Sequence, residues 1–255
     1  MPAPAKKPRT VVRTFGPRRA LAAAAAVALA LTWVPSGSSW INAGASLQCS
    51  DDFTYSWDDE GFPAWDYDDY GSNTNTYSYM DQWGDGYARA KSFNGAELET
   101  AWGAVYSDWF AFSGSAEAHI RGSSQASYEV NMGNIGTGGH SASAFLKVGL
   151  QEYYTNGYGD ASYTPIDQVT YAGGIGYDDG QIGGSNVHVR EVAPGTAYRM
   201  VLFGEAKAYS AWQTSADIEL NPLYHNRLEL CWEVDDAAQE AAAPVPVDLP
   251  AVGRP

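Results

Sequence analysis

Residues 108–122, DWFAFSGSAEAHIRG, set Phe110, Phe112, Ala116, Ala118 and Ile120 on one side and Ala111, Ser113, Ser115, Glu117 and His119 on the other. Successive side chains of a strand point to opposite faces, so a period of two describes a half-buried strand. The pattern returns in YARAKSF (87–93), LETAWGAVY (98–106), ASYEVNM (126–132), SAFLKVGLQEYY (143–154), NVHVREV (186–192), AYRMVLFGEAKAYSAW (197–212), SADIEL (215–220) and RLELCWE (227–233). Turn-forming clusters separate these runs: GDG at 84–86, GNIGTGG at 133–139, AGGIGYDDGQIGG at 172–184, APG at 193–195 and NP at 221–222. No apolar stripe with a 3.6-residue period lasts a dozen residues. Many short strands at regular spacing, rich in Tyr, Val and Thr, mean a β-sandwich or barrel.

The choice between them turns on two cysteines. Cys49 and Cys231 lie near the two ends of the β-patterned region and are the chain's complete cysteine content. In an oxidising compartment two such thiols pair, which holds the first and last strands side by side. The expected fold is therefore all-β, a two-sheet antiparallel β-sandwich of jelly-roll type with about ten strands and its N- and C-terminal strands adjacent. Small residues along the strand faces would let the sheets approach closely.

The first 45 residues hold six of the fifteen Lys and Arg and no acid, and Leu21–Val34 is wholly apolar or small. A basic leader and an apolar run too short for a membrane span, which needs about 20 residues, describe a secretory signal peptide. Ala43–Ala45 offers a small-x-small cleavage site. Arg18 and Arg19 leave twin-arginine export open beside an ordinary basic leader. The expected organisation is a signal and leader over 1–45, one β-domain over 46–234, and a disordered Pro/Ala-rich tail over 235–255. From Ser46 onward 9 basic side chains face 30 acidic ones, a formal charge of −21. That balance excludes a phosphate-binding surface for nucleic acid and opposes anionic membranes. It suits a soluble, secreted protein without membrane insertion.

The stretch SWDDEGFPAWDYDDYG (56–71) packs five aromatic residues and six carboxylates into sixteen positions. As a calcium loop it would use Asp66, Asp68 and Asp69, with Asp58, Asp59 or Glu60 in support, because calcium takes hard oxygen ligands from a tight turn. The EF-hand frame fails at Tyr70 and Tyr77, which stand where ligands belong. As a sugar platform it would use Trp57, Trp65, Tyr67, Tyr70 and Trp83 to stack on pyranose rings, with the interleaved Asp residues, Asn73 and Asn75 as hydroxyl acceptors. Clustered exposed rings mark binding surfaces. Gly61, Phe62 and Pro63 interrupt any ladder, so a loop or irregular edge is expected here.

Catalysis by paired carboxylates needs a second reading. LQEYYTNGYG places Glu152 among apolar and aromatic neighbours at a strand end. A Glu followed by two Tyr resembles the nucleophile strand of the β-jelly-roll xylanases, over about four residues. The resemblance implies a partner Glu on a later strand, for which Glu205 in LFGEAKAY is the candidate. GHSAS (139–143) lacks the strand-turn-helix that a serine nucleophile elbow requires. His119, His140, His188 and His225 are scattered singly. The leading expectation is a secreted non-catalytic protein that binds carbohydrate or another extracellular surface component, with calcium as a candidate ion. The alternatives are an extracellular glycoside hydrolase and a structural protein that self-assembles through strand edges.

Overall fold

Alternating side chains need a second layer on their apolar side, and the chain supplies it by building two sheets against one core. The computed structural model describes residues 10–13, 46–71, 76–93, 95, 97–134, 138–154, 157–234 and 243–249. Sheet I runs in the order β3 (Ala64–Tyr70), β6 (Glu97–Tyr106), β12 (Ala197–Ser210), β9 (His140–Tyr154), β10 (Gly157–Ala172) and β1 (Thr10–Arg13). β7 (Phe110–Phe112) pairs with the start of β12, and β14 (Pro244–Pro246) pairs with β7. Sheet II runs β4 (Tyr77–Met80), β5 (Gly86–Phe93), β13 (Thr214–Val234), β8 (Ala116–Asn134) and β11 (Gly176–Val192), with β2 (Ser46–Ser56) also on β13. Pairing is antiparallel except where β1 lies parallel to β10.

The protein is thus all-β with two antiparallel sheets, and no helix occurs among the described residues. Fourteen strands are present there, more than the ten or so expected. The excess comes from pieces of three or four residues (β1, β4, β7 and β14), which are too short to display a period.

One hydrophobic cluster joins the sheets. Leu146, Val148, Leu150, Met200 and Leu202 from sheet I meet Ile120, Val130, Ile218, Leu220 and Leu230 from sheet II, all buried. Each such side chain is worth about 1.5–3 kcal/mol when fully removed from water. Close approach depends on small residues facing inward, among them Ala88, Ala90, Ala118, Ala144 and Ala206. It is tightest at Gly122, where an added Cβ would stand 2.5 Å from Val148 Cγ2.

Four local expectations change. The run 108–122 is two strands, because the chain bends at Ser113–Ser115 and passes from β7 in sheet I to β8 in sheet II. Its five apolar residues share a side because both sheets turn that side to the same core. The glycine-rich 172–184 is mostly strand: only residues 173–175 bend, and β11 pairs with β8 without interruption from Gly176 to Val192. Asn221–Pro222 is an irregularity inside β13, where the register shifts between Leu220 and Leu223, so SADIEL and RLELCWE belong to one strand. Ala64–Tyr70 is a regular edge strand paired along β6 from Tyr106 to Thr100, where a loop or irregular edge was expected. Gly61–Pro63 does interrupt the chain, but between Asp58–Glu60 in the turn and the three Asp residues of the strand.

Cys49 and Cys231 are disulfide-bonded across β2 and β13, with Cα atoms 4.1 Å apart. Part of the tail pairs with the domain: Pro244–Pro246 lie along β7, and Val247 N donates to Trp109 O at 2.9 Å. Near the N-terminus, Thr10–Arg13 lie beside Gln168–Tyr171. The apolar run 21–34, the Ala43–Ala45 site, Asn73 and Asn75 lie outside the described residues. Among the described residues no helix is long and apolar enough to cross a membrane.

Candidate functional site

The acidic, aromatic stretch is built from a turn and an edge strand. After β2 the chain turns at residues 57–60 and enters Gly61 with φ of 79°. That left-handed conformation suits glycine, and a Cβ there would stand 2.8 Å from Gln82 O. Phe62 N donates to that same oxygen at 2.7 Å. In the facing turn, Asp81 Oδ1 accepts from Trp83 N at 2.9 Å and Asp85 N at 3.1 Å. Buried Asn226 ties the turns together, donating to Gly84 O at 2.5 Å while its own carbonyl accepts from Trp57 N at 3.1 Å. Trp57 packs on His225 at 4.8 Å between ring centroids.

The five expected platform rings are all exposed, but they separate into three places. Trp57 and Trp83 sit in the two turns. Trp65 and Tyr67 point to one side of β3, where Tyr67 lies 5.7 Å from Tyr79, itself stacked on Tyr87 at 5.6 Å. Tyr70 points to the other side by strand alternation, together with Asp66 and Asp68. Its hydroxyl pKa is raised, first by a hydrogen bond to Asp68 and then by that residue's charge.

Alternation also divides the candidate calcium ligands. Asp66 and Asp68 face outward, and each accepts a hydrogen bond from the next backbone N–H, at 2.9 and 2.8 Å. Asp69 faces the opposite way, where burial first, then Asp68 and Glu99, raise its pKa. Among the described residues these three carboxylates do not converge on one point.

A larger aromatic surface lies on the outward face of sheet I. Across four strands the cross-strand order is Phe145, Glu205, Trp102 and Asp68, beside a second row of Lys147, Phe203, Ala104 and Asp66. Trp102 and Phe203 lie 5.4 Å apart with planes 26° from parallel. Tyr163 continues the line 5.4 Å beyond Phe203. Gly149 makes room for it, because a Cβ there would come within 2.8 Å of the Tyr163 ring. Burial, and after it the Glu205 carboxylate, push the Tyr163 hydroxyl up to about 12, so it remains a neutral donor. Two lysines flank the rings: Lys147 Nζ donates to Glu205 Oε2 at 2.7 Å, and Lys207 Nζ lies 2.8 Å from Oε1. Lys147 Nζ also stands 5.1 and 5.3 Å from the Phe145 and Phe203 ring centroids. The expected edge residues Asp66, Asp68 and Tyr70 are the margin of this face.

Trp102, Phe145, Lys147, Tyr163, Phe203 and Lys207 were missed in the sequence reading, although a signal for most of them exists. In LETAWGAVY, SAFLKVGL and LFGEAKAY the aromatic residue holds the parity opposite to the small and aliphatic core residues. Large rings repeated at outward positions are unusual for a solvated face. Their assembly into one row depends on the strand order 10-9-12-6-3, which no local pattern contains.

Glu152 and Glu205 are not brought together. Glu152 pairs with Tyr198 across β9 and β12, while Glu205 pairs with Phe145, seven residues along β12. At about 3.3 Å per residue that is about 23 Å, and an odd separation places the two on opposite faces. Paired catalytic carboxylates stand about 5–9.5 Å apart. Each is also held by cations: Arg190 Nη2 donates to Glu152 at 2.7 Å from sheet II, and Lys147 and Lys207 grip Glu205. His188 joins β10 to β11 through Ser162 Oγ at 2.9 Å and Thr164 Oγ1 at 3.0 Å. Burial, then Arg190, lowers its pKa. His140 Nε2 bonds Gly174 O at 2.6 Å.

No protein-family model matches the chain, and comparison with curated proteins finds no match. Among solved structures it is similar to the enzymatically active domain of tailspike protein 4 of bacteriophage CBA120, with 10% identity and a TM-score of 0.21. The match covers 67% of this chain and 19% of that one. Likeness at that level carries no inference about fold or activity.

Proposed function

We propose that residues 46–234 form an exported, non-catalytic jelly-roll sandwich that binds carbohydrate through the outward face of sheet I and its edge strand β3. The strand orders support the fold. Eight strands, β5-β13-β8-β11 against β6-β12-β9-β10, follow the order in which two nested Greek keys wind a jelly roll. β3 and β4 widen it on one side, and β2 continues the line of β5 along β13.

The observation that carries the binding reading is the row Tyr163–Phe203–Trp102 on an outward sheet face. Flat rings on a rigid sheet offer apolar faces to the carbon side of a pyranose, while Asp66, Asp68 and the Tyr163 hydroxyl supply hydrogen-bonding groups. Tyr163 is exposed, and Trp102 and Phe203 are half-buried beside it; contiguous apolar surface rimmed by polar groups is characteristic of an interaction site. The acidic chain disfavours nucleic acid as the partner, leaving an extracellular glycan or surface component. Hydrolysis is disfavoured by the separation of Glu152 from Glu205, and edge-to-edge assembly at β3 by its three acids, because charges blunt an edge strand. Calcium remains a proposed ligand of Asp66 and Asp68 at the margin of the face.

A glycan array probed with the protein from Ser46 onward, with and without calcium, tests this reading. Binding that Trp102→Ala and Phe203→Ala abolish, with each variant still folded by circular dichroism at the assay temperature, is the expected result. Loss of binding on Trp65→Ala alone would move the contact to the β3–β4 edge. Absence of binding to any glycan, or release of new reducing ends, would overturn the proposal.

A further inference from the structure

On the outward face of sheet II, away from the aromatic row, Glu117 and His119 project from the same side of β8, two residues apart. Glu233 on β13 stands directly opposite Glu117 in the register. Two residue pairs along, His119 is opposite Cys231, whose sulfur is committed to Cys49. His119 Nε2 lies 3.0 Å from Glu117 Oε1 and 3.8 Å from Glu233 Oε1, and a ligand atom from each of the three residues falls within 4.8 Å of the others. We propose that Glu117, His119 and Glu233 form a three-ligand site for a divalent transition-metal ion of the zinc type, its remaining positions open to water or an anionic ligand.

Sheet geometry makes the arrangement compact. Residues i and i+2 share a face, and the directly opposed residue on the next strand completes a triangle whose Cβ atoms are about 5–7 Å apart. Three side chains reaching over such a triangle can meet at one ion held about 2.0–2.2 Å from nitrogen and oxygen donors. The donor set favours zinc over calcium, since an imidazole is a borderline ligand while calcium takes six to eight oxygens. The charge arrangement points the same way. Two carboxylates approach one imidazole, in a chain of net charge −15. The neighbouring cation, Arg121, is turned to Glu229, with Nη1 3.3 Å from Oε2. The exposures differ: the His119 side chain is 17% exposed, Glu233 25% and Glu117 44%. The imidazole therefore sits deepest and Glu117 lies at the open side.

The test is zinc titration of the tag-free protein from Ser46 onward by calorimetry, with thermal melting alongside. One zinc ion per chain and a rise in melting temperature are expected, with little response to magnesium or calcium at the same concentration. His119→Ala should weaken binding at least about tenfold, since even outer-shell substitutions at metal sites commonly cost that much. Glu233→Gln should weaken it in the same direction. His140→Ala serves as control, because His140 is buried on sheet I and bonded to Gly174 O. No zinc binding, or binding that survives His119→Ala unchanged, overturns the proposal. Each variant's metal-free melting temperature separates loss of the ion from loss of the fold.

Discussion

Gly122 is the position at which the contact between the two sheets can be measured. It sits within β8, opposite Leu228 on one side and Asn186 on the other, and looks across the core to β9. In Gly122→Ala the new methyl would stand 2.5 Å from Val148 Cγ2, 2.6 Å from its Cβ and 3.2 Å from Leu202 Cδ1. Carbon atoms prefer about 3.5–4.0 Å, so about 1 Å must be found. Val148 is β-branched and its Cβ is fixed to a strand flanked by β10 and β12, so it cannot swing aside as a flexible chain end would. Two terms favour the substitution: one more buried methyl, about 0.8 kcal/mol, and a less free unfolded chain, about 0.4–1 kcal/mol. Overpacking opposes them by about 1–3 kcal/mol or more. Contact with a fixed Cβ puts the cost at the top of that range, for a net loss of about 1–2 kcal/mol. Val148→Ala alone should lose about 2 kcal/mol, at the lower end for removing a buried aliphatic side chain. In the double variant the added methyl fills the vacated space. The combined loss should then fall short of the sum by at least about 1 kcal/mol, a coupling typical of residues in contact. Urea unfolding with the disulfide intact and equal m-values gives all four numbers. Strict additivity, or a Gly122→Ala protein more stable than the parent, would refute the close approach of β8 to β9.

Three further outcomes are expected. Replacing Cys49 and Cys231 by Ser opens a bridge spanning 182 residues and should cost up to about 5 kcal/mol on the chain-entropy model; an unchanged melting temperature would mean the bridge is energetically idle. The His188 imidazole has a folded pKa below its unfolded one, so the unfolded chain takes up the proton first as pH falls. The stability it contributes is full above about pH 6.5 and declines below, so His188→Gln should lose less stability than the parent between pH 7 and 5; equal losses in urea titrations would deny the effect. If calcium binds at β3, saturating calcium should raise the melting temperature by mass action, and Asp66→Asn or Asp68→Asn should remove the rise; no shift in the parent would exclude calcium there.

Much of the protein is legible in local patterns. A period of two is a property of each strand by itself, so the all-β class, the inward parity of Ala118 and Ile120, and the positions of β5, β6, β9 and β12 follow from short stretches read alone. The pairing of Cys49 with Cys231 needed only their number and the expectation of an oxidising compartment. Where local signals compete, the reading failed in an intelligible direction. Glycines at 173–184 suggest a turn, yet β8 offers a full ladder of backbone partners to most of them, and pairing outweighs weak propensity. The acids of Asp66–Tyr70 suggest a loop, yet an edge strand leaves one side of its backbone and much of its side-chain surface in water, where charge is tolerated.

What only the tertiary structure decided is which residues meet. Glu152 and Glu205 look alike in sequence as carboxylates on core strands; strand parity and a seven-residue offset set them on opposite faces, Glu152 with Arg190 and Glu205 with Lys147 and Lys207. Trp102, Phe203 and Tyr163 come from segments up to about a hundred residues apart, and they form a row because β6, β12, β9 and β10 are neighbours in sheet I. Glu117 and His119 reach Glu233 because β13 returns beside β8. Side-chain alternation is set by the geometry of a single strand and can be read residue by residue. Strand order is set by how long-range hydrophobic burial closes two sheets over one core, and every contact that could bind a ligand depends on it.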